Sequence, residues 1–211
     1  MANFLKAYLA KQLGHPAGWF GQVLLRILNR SNRAMNDLTF QQLALAKNHH
    51  ILEIGFGGGD LISCCLAAES TLKVSGIDPA IAAVDFAKRR FKETLQSDRL
   101  QIAQASGENI PFADAAFDRI MTVNTLYFWS KPAQVLASCR RVLKPAGKLV
   151  ITYNNKQFLE KTQATNYGFQ AYDPHEVEAM LGKAGFLEIQ TVAEESPYDG
   201  QFFCTVGVKN T

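Results

Sequence analysis

The most constraining feature of this sequence is the stretch "ILEIGFGGGD", Ile51 to Asp60, in which an apolar run ends in glycines. Four of the five residues from position 55 to position 59 are glycine. Glycine inside regular structure is unfavourable compared with alanine, so this cluster indicates tight turning or close approach of a ligand to the backbone. Because the helical segment "DLISCCLAAE" follows, we predict a strand, a glycine loop and a helix in succession.

From Ile51 onward, short β-branched runs alternate with helical stretches, which is typical of a parallel sheet covered by helices on both faces. The predicted strands are "HILEI", "LKVSGID", "LQIAQAS", "FDRIMTV" and "GKLVITYN". After a helix that ends at Gly185, "LEIQTVAE" and "QFFCTVGVK" follow each other with no helix between them, which favours antiparallel pairing. We therefore predict an α/β fold with a doubly wound, mostly parallel seven-stranded, Rossmann-like sheet and an antiparallel edge strand.

Residues 1–47 differ in character from the sheet-forming part of the chain. They are predicted to be helical with a break at Gly14 to Gly18, and they carry six lysines and arginines against the single acid Asp37. We predict a division into an N-terminal helical cap or lid, residues 1–47, and a cofactor-binding domain, residues 48–211. Apolar and aromatic residues lie between the basic ones, a pattern that also suits peripheral contact with an anionic membrane.

Two acidic residues at predicted strand ends narrow the ligand of the glycine loop. A phosphate-binding P-loop requires lysine and then serine or threonine after its last glycine, where Asp60 and Leu61 stand. Asp60 also occupies the position of the third glycine of a dinucleotide fingerprint, which disfavours a nicotinamide cofactor without excluding it. A buried Glu53 would need a cationic partner such as an amine, and Asp78 in "GIDP" suits ribose hydroxyls. The expected ligand combines an amine with a ribose.

A family resemblance is carried by four ordered segments, "ILEIGFGGGD", "GIDP", "SGENIPFADAAFDRIMTVNTLYFW" and "RVLKPAGKLVI". With them the chain resembles the class I S-adenosylmethionine-dependent methyltransferases, in the group that includes the ubiquinone and menaquinone biosynthesis methyltransferases. The resemblance implies S-adenosylmethionine as cofactor, with Glu53 at its amino acid part, Asp78 at its ribose and "ASGEN" at its adenine. The cofactor-binding residues implied are Glu53, Gly55, Phe56, Gly57, Asp78, Pro79, Ser106, Gly107, Glu108 and Asn124.

The resemblance implies methyl transfer to a small or lipid-like acceptor by in-line displacement, for which the protein aligns the reactants and excludes water. Two alternatives stay open, a nicotinamide-dependent oxidoreductase and a non-catalytic S-adenosylmethionine-binding module. If the acceptor must lose a proton, the candidates are Tyr127, Tyr172, His15 and His175; the two histidines are interpreted as ordinary surface positions, which leaves Tyr127 and Tyr172 as the candidate catalytic residues. Ser106 departs from the Asp or Asn of many relatives and leaves a shorter hydrogen-bonding group for adenine.

Composition and net charge limit the kinds of binding partner and the cell compartment that we expect for this protein. A net charge of +3 and a pI near 8.6 are too mild to indicate nucleic-acid binding, so Arg89/Arg90 and Arg140/Arg141 are interpreted as solvated helix faces. The four cysteines show neither metal-ligand spacing nor a disulfide framework, and a cytoplasmic location is expected. No metal site is predicted at His49 and His50, because no carboxylate or cysteine stands at ligand spacing.

Overall fold

A computed structural model describes residues 32–161, 166, 169–197 and 200–210 of the protein. Within these ranges the helices are α1 (Arg33–Gln42), α2 (Asp60–Ala68), α3 (Ile81–Arg90), α4 (Pro132–Val142), α5 (Lys156–Lys161) and α6 (Pro174–Lys183). The strands are β1 (His50–Ile54), β2 (Lys73–Asp78), β3 (Leu100–Gln104), β4 (Phe117–Val123), β5 (Leu143–Asn154), β6 (Phe186–Ser196) and β7 (Gly200–Lys209). Short 3₁₀ turns lie at Thr94–Gln96 and Leu126–Phe128.

The strands form one seven-stranded sheet in the order β3, β2, β1, β4, β5, β7, β6. The first five are parallel to one another, and β7 is antiparallel to both β5 and β6. The predicted doubly wound, mostly parallel seven-stranded sheet is confirmed, and the antiparallel strand that was expected at its edge is present one place in from the edge. That strand is β7, and β6 lies outside it. The short link between β6 and β7 leaves no room for the crossover that parallel pairing requires.

Alternate strand residues face two separate cores. Ile51 and Val150 pack with helices α1, α2 and α3 on one face of the sheet. Leu52 and Leu149 pack with α4 and α6 on the other face. This period-two alternation covers both faces of the sheet and leaves the carboxyl ends of the strands as the exposed rim. The strand order reverses between β1 and β4, which is where open α/β sheets place their ligands.

Helix α1 belongs to the same core as the sheet. It buries Met35, Leu38 and Thr39, and Thr39 Oγ1 lies 2.6 Å from Thr152 Oγ1 of β5. The rest of the predicted cap, residues 1–31, lies outside the described residues, so the division at residue 47 stays a prediction. In the described part of the chain, no helix has both the length and the apolar character to cross a membrane.

Candidate functional site

The glycine loop turns sharply at the carboxyl end of β1. Gly55 and Gly57 have φ angles of +70° and +51°, in the left-handed region that glycine adopts without strain. The Gly55 N–H donates to the Ile77 carbonyl at 2.7 Å, which ties the loop to β2. Helix α2 then begins at Asp60, directly after the loop. The predicted succession of strand, glycine loop and helix is confirmed.

Glu53 is a buried carboxylate with an unmatched oxygen. Only 4% of the residue is exposed, and no hydrogen-bond donor in the described part of the chain reaches Oε2. Burial, and then the nearby Asp78 carboxylate, hold the pKa of Glu53 well above its usual range. Such an oxygen is costly unless a donor reaches it, and a cationic amine would satisfy it and favour the ionised form. The site therefore fits the amine end of S-adenosylmethionine.

Asp78 lies at the carboxyl end of β2 and braces the same loop. Its Oδ2 accepts the Gly57 N–H at 3.0 Å, and its Oδ1 accepts the Ala80 N–H at 2.9 Å. A carboxylate offers about four lone-pair sites, so these backbone bonds are compatible with further bonds from ribose hydroxyls. Pro79 follows, and its carbonyl accepts the Gln104 Nε2–H at 3.1 Å.

The segment predicted to face adenine reaches the same rim. The Ala105 N–H donates to the Asp78 carbonyl at 3.2 Å, so Ser106, Gly107 and Glu108 begin beside the end of β2. A Cβ on Gly107 would lie 3.0 Å from Val135 Cγ1, so a side chain there would press against α4. The structure thus places the predicted amine, ribose and adenine contacts along one edge formed by β1, β2 and the loop after β3.

A polar cluster that sequence analysis only partly anticipated lies at the ends of β4 and β5. Asn124 has a φ of +55°, and its Oδ1 accepts the Tyr127 hydroxyl at 2.9 Å and Asn154 Nδ2–H at 3.1 Å. Asn124 Nδ2 donates to Asn32 Oδ1 at 3.0 Å. We missed Asn154 and Asn32, although an asparagine pair closing the apolar run "LVITYNN" was a visible signal.

The two candidate catalytic tyrosines differ in their surroundings. Tyr127 is 3% exposed, and its hydroxyl also accepts the backbone N–H of Asn154. The Tyr172 hydroxyl donates to Gln170 Oε1, and burial and then Glu176 raise the pKa of this phenol. A raised pKa makes the Tyr172 phenol harder to ionise, and the Tyr127 hydroxyl is engaged by Asn124 and by the Asn154 backbone. A catalytic role for either tyrosine stays a prediction.

The other metal-binding and titratable candidates do not belong to this cluster, and His50, the first residue of β1, lies at the end of the strand opposite the rim. Within the described ranges, no group of three or more histidine, cysteine, aspartate or glutamate side chains is arranged to hold a metal ion. All four cysteines are free thiols. His50 Nε2 lies 3.0 Å from Ser75 Oγ, and burial, and then Lys144, lower the pKa of the imidazole.

Arg90 lies on an exposed helix face, as interpreted from the sequence, and it also holds the glycine loop from outside. Its Nη1 donates to the Gly58 carbonyl at 2.6 Å and to Asp60 Oδ1 at 2.5 Å. The other pair is also engaged: Arg140 bonds to the Gly185 carbonyl and Arg141 to the Ile110 and Phe112 carbonyls. The sequence pattern concealed these roles because their partners are carbonyls far along the chain.

We expect Arg90→Ala to loosen the glycine loop. The side chain is about one third exposed, so the loss in free energy of unfolding should be modest, roughly 0.5–1 kcal/mol. The dissociation constant for S-adenosylhomocysteine should rise about threefold or more, since the loop backbone loses its brace. Calorimetric titration checks this, with Arg89→Ala, an exposed neighbour on the same helix, as control. Equal effects of the two substitutions would contradict a role for Arg90.

The raised pKa of Glu53 predicts that cofactor binding depends on pH. Above the ordinary carboxyl pKa of about 4.3, the folded protein still holds a proton that the unfolded chain has lost. The free energy of unfolding therefore falls as pH rises towards the Glu53 pKa. A cationic amine favours the ionised carboxylate, so binding releases this proton and affinity rises with pH across the same range.

Calorimetry of S-adenosylhomocysteine binding checks this expectation. Titrations in two buffers of different ionisation enthalpy should show proton release that shrinks at higher pH. Glu53→Gln should remove both the proton release and the pH dependence while weakening binding. Proton release that persists unchanged in Glu53→Gln would show that another group is responsible.

Comparison with known proteins shows that this chain is similar to methyltransferases. The family described as "Methyltransferase domain" matches residues 52–151. The uncharacterized methyltransferase YdaC of Bacillus subtilis is 30% identical over 131 residues, which cover 62% of this chain and 70% of that protein. The ubiquinone/menaquinone biosynthesis C-methyltransferase UbiE of Geotalea daltonii is 26% identical over 186 residues, 85% of this chain and 79% of that protein.

A solved structure shows the same fold. A chain from the complex between the Haloferax volcanii Trm112 methyltransferase activator and a methyltransferase has a TM-score of 0.80 at 15% identity. The match covers 92% of this chain and 96% of that chain. Most of this chain therefore shares its fold with that solved structure.

Proposed function

This chain belongs to the family of S-adenosylmethionine-dependent methyltransferases, and we propose that it methylates a small or lipid-like acceptor at the carboxyl ends of β4 and β5. The cofactor would lie along the neighbouring rim, with its amine at Glu53, its ribose at Asp78 and its adenine at Ser106 to Glu108. The observation that carries this placement is the buried Glu53 Oε2, which no donor in the described residues satisfies.

Methyl transfer depends more on the alignment of the methyl donor and the acceptor than on acid–base catalysis. When bound, the cofactor supplies a methyl group on a positively charged sulfur. The glycine loop, held by Asp78 and Arg90, fixes the position of the donor, and the segment from Asn124 to Tyr127 faces the acceptor. Phe128 and Phe169 have ring centroids 4.7 Å apart beside this segment, and this apolar wall would shield the bound reactants from water. Holding both reactants in line accounts for much of the rate gain.

Tyr127 and Tyr172 are proposed to shape the site. Tyr127 connects Asn124 to the backbone of Asn154, and Tyr127 stacks on Phe169 with ring centroids 6.1 Å apart. Tyr172 lies near α6, with its hydroxyl on Gln170. An acceptor that is already nucleophilic, or one that loses its proton to solvent, needs no base from either residue.

The class of methyl acceptor is proposed from the apolar wall of Phe128 and Phe169 and from the names of related proteins. UbiE is named for ubiquinone and menaquinone biosynthesis, and a Caenorhabditis elegans relative is named a sterol 4-C-methyltransferase. An apolar, flat acceptor would pack against Phe128 and Phe169. We place this chemistry in the cytoplasm, in keeping with the four free thiols.

Turnover of methyl-labelled S-adenosylmethionine tests the function. The full chain is incubated with aqueous and organic metabolite extracts, and labelled products are separated by chromatography. We expect label in at least one product, which would be lost in Asp78→Ala. Tight S-adenosylhomocysteine binding without any labelled product would favour a non-catalytic module, and binding of a nicotinamide cofactor instead would favour an oxidoreductase.

The membrane contact predicted for the N-terminal helices concerns residues outside the described ranges. Its basic and apolar pattern supports the proposal that these helices meet an anionic surface when the acceptor is lipid-like. Co-sedimentation with anionic liposomes, for the full chain and for a chain lacking residues 1–30, would show equal recovery in the supernatant if the proposal is wrong.

A further inference from the structure

Two buried side-chain oxygens among the described residues have no hydrogen-bond partner, Glu53 Oε2 and Asn154 Oδ1. The first is matched by the amine of the cofactor. Asn154 is the last residue of β5, and only 7% of it is exposed. Its Oδ1 is buried and accepts no hydrogen bond from the described part of the chain, which is unfavourable unless a ligand supplies the donor.

A chain of directional hydrogen bonds fixes which end of the Asn154 amide is unmatched. The Tyr127 hydroxyl accepts the Asn154 backbone N–H, and it donates its single proton to Asn124 Oδ1. Asn124 Nδ2 consequently points at Asn32 Oδ1 and at Met35 Sδ, 3.3 Å away. The reverse orientation of Asn124 would set its oxygen against a thioether sulfur, which has no proton to donate.

Asn154 is then oriented by Asn124. Its Nδ2 donates to Asn124 Oδ1 at 3.1 Å. Turning the Asn154 amide over would bring two carbonyl oxygens together, so the outward group must be Oδ1. The network therefore presents a carbonyl oxygen as the unmatched group, and this selects for a donor on whatever molecule occupies this place.

The position of Asn154 places this oxygen on the acceptor side. β4 lies between β1 and β5 in the sheet, so Glu53, Asn124 and Asn154 come from three consecutive strands at one rim. The surrounding groups in the network are neutral amides, a phenol and a thioether. A cationic donor would have no countercharge within this network, whereas a neutral hydroxyl would need none.

We propose that Asn154 Oδ1 is a specificity-determining contact that accepts a hydrogen bond from a neutral hydroxyl on the methyl acceptor. The inference rests on the proposed function and deepens it, because it narrows the acceptor to a hydroxyl-bearing molecule. Tyr127 and Asn124 act as positioning residues for this contact. The apolar wall holds the body of the acceptor, and Asn154 sets the orientation of its hydroxyl end.

The test begins with the labelled product from the metabolite extracts. Its exchangeable protons are counted by mass spectrometry after transfer to deuterated solvent, and its structure is then assigned. We expect the unmethylated acceptor to carry at least one hydroxyl. An analogue in which that hydroxyl is replaced by hydrogen should react with a kcat/KM about 10- to 100-fold lower than the parent acceptor.

Substitution of Asn154 separates recognition from folding. Asn154→Leu and Asn154→Ala should bring the ratio of kcat/KM for parent and analogue close to one. Both should still bind S-adenosylhomocysteine, which shows that the variants fold and keep the contacts at Glu53 and Asp78. The control is Asn155→Ala, because the Asn155 amide already has partners in Gln157 N–H and Gln201 Oε1.

The outcomes distinguish the inference from the function. A labelled acceptor without a hydroxyl, or an unchanged ratio in both Asn154 variants that bind S-adenosylhomocysteine, would overturn the inference and leave the methyltransferase function standing. The absence of any labelled product from the unsubstituted chain would overturn the proposed function and the inference with it.

Discussion

Gly55→Ala is expected to lower the free energy of unfolding by about 2–5 kcal/mol and to abolish measurable cofactor binding. Two effects combine at this position. The φ of +70° strains any residue with a Cβ. A Cβ here would also lie 2.4 Å from Thr125 Cγ2, far inside van der Waals contact. The loop must shift to relieve the overlap, and that shift moves the backbone away from the cofactor site.

Thr125→Ser in the same chain separates these two effects. Serine removes the Cγ2 methyl group and keeps the hydroxyl that bonds to Thr122. The double variant should regain about 1–3 kcal/mol, while the strain of the left-handed backbone remains. Urea unfolding measures each variant, and Gly182→Ala is the control because its Cβ would meet Ile189 Cδ1 at an ordinary 3.7 Å.

The control should be neutral, or more stable by up to about 1 kcal/mol, because Gly182 lies within α6. Unchanged stability of Gly55→Ala would mean that the loop adopts another backbone conformation. No recovery in the double variant would mean that Thr125 is not the obstacle.

Asp78→Ala should raise the dissociation constant for S-adenosylhomocysteine by about 5- to 150-fold, or roughly 1–3 kcal/mol. The carboxylate holds the Gly57 and Ala80 N–H groups, so its loss frees the glycine loop and removes the proposed ribose contact together. The dissociation constant of Asp78→Asn should fall between those of the unsubstituted protein and Asp78→Ala, since the amide oxygen can still accept one of the two backbone N–H bonds. Isothermal calorimetry at one fixed pH measures all three proteins.

Asp85→Ala provides the charge-matched control for this prediction. Asp85 is an exposed acid of α3, and its loss changes net charge by the same amount. Its affinity should stay within about twofold of the unsubstituted protein. If both variants weaken binding equally, the effect belongs to net charge, and if neither does, Asp78 is not a ligand contact.

The sequence was sufficient to predict the fold wherever the local residue pattern agrees with the burial of the residues. Strands such as "HILEI" and "FDRIMTV" are short, apolar and β-branched, and the structure forms β1 and β4 there. Gly185 ended its predicted helix as expected, with a φ of +85°. The inner position of β7 was harder to predict from the sequence, because the order of the strands depends on how the connecting helices pack against the sheet.

Residues of the candidate site could be predicted from the sequence only where they belong to a recognisable motif. Glu53 and Asp78 stand at strand ends, where an acid is conspicuous among apolar residues. Arg90 and Thr125 act on the same glycine loop from 32 and 70 residues away, and no local pattern reveals such contacts. The unmatched oxygen of Asn154 could be identified only from the directions of the hydrogen bonds that its neighbours make in the structure.

A crystal structure of the full chain with S-adenosylhomocysteine would show directly whether Glu53 and Asp78 bind the methyl donor. We predict the ligand amine within hydrogen-bonding distance of Glu53 Oε2, the ribose hydroxyls on the Asp78 carboxylate, and the sulfur facing Asn124 and Asn154. A ligand bound elsewhere, or one whose amine and ribose avoid both carboxylates, would contradict the central claim that these two acids hold the methyl donor.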